Sequence, residues 1–166
     1  MTFNYRPAAL LILLATSAYS LTVDEAYRAI PHRRTVFAGS SGTMPAAERA
    51  YLTQLFEAVD LAIVAKIEMR NGVSASTAYD PVWTAWKKLK APSKLQHVQT
   101  LFKEAIENEQ ASLTDSRGRV NSADPRTQVA SAKLHEAYDE TMRIYPNESA
   151  TVRDAFFDYP CALDFY

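Results

Sequence analysis

"PAAERAYLTQLFEAVDLAIVAKIEM", residues 45–69, is helical by its spacing. Leu52, Leu55, Phe56, Val59, Ile63 and Ile67 recur three or four positions apart, which puts them on one stripe of an α-helix. Asn71-Gly72 follows, offering the left-handed residue that ends such helices.

Downstream, the same period repeats. Asp80-Pro81 reads as a helix start, with Asp at the N-cap, Pro in the first turn and Val82, Ala85, Trp86 and Leu89 on the inner face. Pro92 interrupts that pattern. Ser93 and Gln96 have capping-box spacing and reopen a helix carrying Leu95, Val98, Leu101, Phe102, Ala105 and Ile106. One kinked helix and two helices at an angle are both compatible with this stretch. The polar segment 114–123 reads as a mobile loop. Asp124-Pro125 then starts a helix with Ala130, Leu134, Ala137, Tyr138, Thr141 and Tyr145 on one face, stopped by Pro146. A last helix over about 148–159 buries Val152, Ala155, Phe156 and Tyr159, and Pro160 is expected to end it.

Upstream, Thr22 and Glu25 have capping-box spacing in a short helix closed by Pro31. Residues 32–44 lack a helical period and contain two glycines, so they read as an extended arm. No stretch alternates as a strand would. The expected fold is all-α, a compact helical bundle of about four main helices plus a short N-terminal one.

Residues 1–20 read as a secretory signal peptide. Arg6 precedes an apolar run, "AALLILLA" (8–15), and Ala18 and Ser20 are small residues at the cleavage positions. The run is shorter than the ~20 residues a membrane span needs. Cleavage near Ser20 would leave a single domain, 21–166, secreted or periplasmic. Apolar residues at 48% and charged residues at 22% suit a globular core. The formal charge is −1, and −2 once Arg6 leaves, which gives no global field for nucleic acid, so nucleic acid is not an expected partner.

An exported chain with one cysteine cannot close a disulfide within itself. Cys161, in "DYPCALDFY" (158–166), is therefore a small apolar residue in a tail that clasps the bundle, a disulfide link to a second copy, or a ligand. His32, His97, His135 and Cys161 are the candidate metal or haem ligands, but no HExxH, CxxC or CxxCH spacing joins them. No cofactor is expected.

"PHRRT" (31–35) is chemically the most pointed stretch. His32, Arg33 and Arg34 on a loop have the chemistry to hold a phosphate or carboxylate, or else to pair with carboxylates on the bundle. Trp83 and Lys87 fall together at the edge of their helix, with Lys88, Lys90 and Lys94 nearby, and suit an acidic partner or, less well, a membrane surface. Glu57 and Asp60 flank the apolar stripe and could line a groove, whereas Glu104, Glu107, Glu109, Asp139 and Glu140 read as ordinary solvated carboxylates. Asn147-Glu148-Ser149 fits a glycosylation acceptor. No GxSxG, phosphate loop or dinucleotide fingerprint occurs. The expected function is a non-catalytic exported domain that binds a partner protein or a small anionic ligand. The alternatives are a metal- or haem-binding protein and, third, an enzyme using carboxylates in a bundle cleft.

Overall fold

The computed structural model describes residues 21–38 and 44–164. Residues 1–20, on which the expected signal peptide falls, the far end of the arm (39–43), Phe165 and Tyr166 lie outside them. Six α-helices follow in order: α1 (Val23–Arg28), α2 (Ala46–Arg70), α3 (Ala75–Trp86), α4 (Gln96–Asp115), α5 (Pro125–Ile144) and α6 (Ala150–Asp164). A 3-10 turn over Ser93–Leu95 leads into α4, and no strand occurs among the described residues. The bundle is all-α, with five substantial helices where about four were expected.

The centre of the molecule is α2. Fourteen of its 25 residues are buried, too many for one stripe, and they include Ala58, Ala62, Val64 and Ala65 as well as Asp60 and Lys66. A helix buried on several sides must be covered by several neighbours, and α1, α3, α4 and α6 all pack on it. The aromatic core gathers on Phe56, whose ring stacks on Tyr159 of α6 (4.3 Å, 8°) and meets Phe37 of the arm and Phe102 of α4 edge-on. Two helical hairpins complete the bundle. Ser112 near Thr127 and Lys133 near Glu104 make α4 and α5 antiparallel. Ser131 bonded to Asp164 and Tyr138 against Phe157 do the same for α5 and α6.

Several local signals act as expected. Thr22 and Glu25 form the capping box of α1. Asp124 caps α5 through the Arg126 N–H, with Pro125 in the first turn. Gly72, at φ +93°, closes α2: its N–H donates to the Met69 carbonyl and the Val73 N–H to that of Glu68.

Four expectations fail, the last of them in part. Asp80-Pro81 does not start α3. The helix begins six residues earlier, where the Ser74 hydroxyl accepts from the Thr77 N–H, and Pro81 lies inside it. Only the bond to the Thr77 carbonyl is forgone, and Thr77 is exposed to water. Ser93 and Gln96 make no capping box, because α4 is entered through the 3-10 turn with no side-chain cap. The stretch around Pro92 therefore separates two helices. Pro160 does not end α6, which continues to Asp164 with Pro160, Ala162 and Leu163 buried. Cys161 thus sits on a helix and not in a clasping tail. The segment read as a mobile loop is helical as far as Asp115, and its Gly118 packs so closely on α2 that a Cβ there would overlap the Met69 carbonyl.

Candidate functional site

The arm lies across α1, α2 and α6 and is fastened by its arginines. Arg34, 27% exposed, reaches Asp60 of α2 at 2.5 Å and Asp24 of α1 at 3.4 Å, with its guanidinium over the Tyr27 ring. Asp60 is buried and also accepts from the Tyr27 hydroxyl at 3.0 Å. Burial pushes the Asp60 carboxyl up, and the Arg34 guanidinium pulls it back only in part. Arg33 places Nε 3.1 Å from the buried Asp158 and Nη2 3.5 Å from Asp154, both on α6. An incoming anion would find both guanidinium groups already opposed by carboxylates. Asp60, which the sequence suggested as a groove residue, is an anchor beneath the arm, while Glu57 stays exposed.

His32 stands apart from the arginines, half-buried edge-on against Phe157 at 6.5 Å. Phe157 is one of three large apolar side chains exposed among the described residues, at 46%, with Val36 and Val129. Tyr138 of α5 meets it edge-on at 5.6 Å. This pair divides a groove along the α5–α6 seam into two lobes. One lobe, of ≈ 440 Å³ open to solvent, is lined by Leu134, His135, Asp139, Pro160, Cys161 and Asp164. The other is lined by Met142, Ala150, Arg153 and Asp154. Leu134 and Ala137 are buried behind α5, and Ala155 and Tyr159 behind α6. The 3.6-residue period then carries Tyr138, Phe157 and Cys161 to the surface between the helices.

The seam gathers His135 and Cys161 and sets His32 at its edge. Burial first, then Asp164 and Asp158, push the Cys161 thiol up, so the protonated form is favoured. His135 is 72% exposed with Nε2 3.7 Å from Asp164. His97 lies elsewhere, on α4, 3.6 Å from Glu136. Among the described residues, no three His, Cys, Asp or Glu side chains are grouped as a metal would require.

Trp83 and Lys87 do not line the seam. The Trp83 indole N–H donates to Gln110 of α4 at 2.9 Å and its ring meets Trp86, so it is tied into the α3–α4 contact. Lys87, Lys88 and Lys90 are exposed at the end of α3, and Lys94 pairs with Glu48 over the Tyr145 ring. No described helix is long and apolar enough to cross a membrane.

The buried pair of Lys66 on α2 and Glu109 on α4 escaped the sequence reading. Lys66 Nζ lies 2.7 Å from Glu109 Oε1 and also donates to the Leu163 carbonyl at the C-terminal end of α6. Both side chains are only 5% exposed. Burial raises the Glu109 carboxyl to about 7, Lys66 opposes that rise, and nearby Asp164 adds to it. Glu109 is therefore no solvated surface carboxylate. A signal was present: positions 98, 101, 102, 105, 106, 109 and 113 form one helical series, and Glu109 is its one charged member.

No protein-family model, curated protein or solved structure matches the chain.

Proposed function

We propose that this chain is an exported, non-catalytic helical domain that binds a partner protein through the α5–α6 seam. The observation that carries this reading is Phe157, a large aromatic left half in water at the middle of a groove framed by Tyr138, Cys161 and Met142. Exposed aromatics set in apolar grooves are the usual anchors of protein–protein contacts. His32 packs on that anchor, and Arg33 holds the flanking carboxylates of α6, so two of the arm residues expected to matter bear on the same surface. The anionic-ligand form of the idea is weaker, because Arg33 and Arg34 already face Asp158, Asp154, Asp60 and Asp24.

A photoreactive phenylalanine analogue at position 157 tests the reading in cells, with position 107 on the exposed side of α4 as the control. The expected result is a discrete cross-linked product from 157 and none from 107. No product from 157, or equal products from both, would sink the proposal. The metal or haem alternative retains His135 and Cys161 in one lobe, and metal content of the purified protein before and after His135→Ala tests it.

A further inference from the structure

We propose that the occupant of the α5–α6 seam is a second copy of this chain, docked about a two-fold axis. This rests on the seam being a protein-binding surface and names the protein. The rim of the groove carries several charges, and nearly all are answered within the chain. Asp164 accepts from Ser131 and lies beside His135, Arg33 holds Asp154 and Asp158, and Arg143 pairs with Glu140. Two charged side chains lining the seam have no ion-pair or hydrogen-bonding partner among the described residues. They are Asp139 on the α5 side and Arg153 on the α6 side. They are opposite in sign and stand on opposite walls of the groove, within about one helical turn of each other along the hairpin.

A two-fold contact is isologous, so a residue that meets a given partner on the other copy is met in return by its own counterpart. Turning one copy over about an axis along the seam lays its α5 over the other's α6. Asp139 of each then faces Arg153 of the other, and the two Phe157 side chains bury one another. A single surface thus supplies its own complement twice, where an unrelated partner would have to reproduce both charges. The contact is made by Asp139, Arg153 and Phe157 and draws on no bond to Cys161, so the proposed association is non-covalent.

Sedimentation equilibrium of the exported protein as purified, over a wide concentration range and with or without reductant, is the test. The expected result is a reversible monomer–dimer equilibrium that reductant leaves unchanged. Arg153→Asp and Asp139→Arg each place like charges at both contacts, and each is expected to weaken the dimer by at least tenfold. The double swap, Asp139→Arg with Arg153→Asp, restores it, and Phe157→Ser abolishes it. Circular dichroism on each variant checks that these surface changes leave the helices intact. A wild-type chain monomeric at every concentration overturns the inference, as does a dimer that reductant dissolves or a double swap no better than the single variants. If the wild type is monomeric but position 157 still cross-links to a protein of different mass, the second copy is wrong and the seam stands. If nothing cross-links, both fall.

Discussion

Lys66 is an ammonium group in the buried C-terminal part of the central helix, and two acceptors hold it there: the Glu109 carboxylate and the Leu163 carbonyl. The second contact also places a cation at the negative end of the α6 dipole. Removing one member of such a pair strands the other in a low dielectric, whereas removing both leaves neither group uncompensated. Lys66→Met is therefore expected to cost about 3 kcal/mol, moderated because Glu109 already tends to hold its proton. Lys66→Met combined with Glu109→Leu should recover most of that loss. Urea denaturation of the two single variants and the double completes the cycle. If the single losses simply add, the two side chains are not coupled and this account is wrong. Glu109 Oε2 has no hydrogen-bond partner among the described residues, which leaves it as the oxygen able to carry the proton.

Helix ends give three further expectations. α4 closes with the Arg117 N–H on the Thr114 carbonyl and the Gly118 N–H on that of Leu113, which puts Arg117 in the left-handed region at φ +54°. That conformation is comfortable for glycine and costly for a residue with a Cβ, so Arg117→Gly should stabilise by about 1 kcal/mol. Gly118→Ala should cost well over the ~1 kcal/mol expected of Gly72→Ala, because only the first must also displace α2 backbone. Thermal melts of the three variants give the ranking. At the other end of the chain, deleting residues 160–166 removes the buried Ala162 and Leu163 and the acceptor that Lys66 uses. A loss of about 4 kcal/mol or more is expected, and an unchanged melting temperature would mean that the last turn of α6 holds nothing in place. Several caps were legible in the sequence because signal and effect lie within one turn: Thr22 with Glu25, Asp124 with Pro125, and Gly72 after α2; Ser93 with Gln96 has the same spacing but misled, because a 3-10 turn precedes α4 there. The prolines at 81 and 160 misled because their effect depends on what lies across the bundle. The exposed position of Thr77 tolerates the first, and burial of Pro160, Ala162 and Leu163 with the Lys66 contact outweighs the break expected at the second. The seam was legible only in pieces: His135 and Cys161 stood out as residue types, but Phe157 drew no reading of its own, since its place in the groove appears only when α5 is laid against α6.

The bundle as one cooperative unit carries opposing proton linkages. Glu109 and Asp60 are both raised above their ordinary values. Between about 4.5 and 7, folded Glu109 keeps a proton that the unfolded chain releases, so its contribution is fully present below that window and is lost as pH rises through it. Asp124, Glu25 and Glu140 are lowered by hydrogen bonds to Arg126, Thr22 and Arg143, and their contributions vanish as pH falls through their folded values. Stability should thus be higher near pH 5.5 than near pH 7.5 and decline again in stronger acid. Glu109→Gln should flatten the neutral limb and leave the acid limb alone, as melts across pH would register. A wild type more stable at pH 7.5 than at 5.5 would contradict the burial argument. The all-α class was open to sequence reading because periodicity is a property of each helix separately. The depth of α2 was not, since burial on several sides depends on how the other helices surround it. Synthesis runs from the N-terminus, so Lys66 leaves the ribosome well before Glu109, 43 positions later, and before Leu163, 97 positions later. Until both arrive, an ammonium without counter-charge sits on the surface that must become the core, and collapse around α2 is penalised. Arg33 waits longer still, 125 positions, for Asp158. Full burial of Lys66 with both its acceptors is therefore expected only once the last helix has been made.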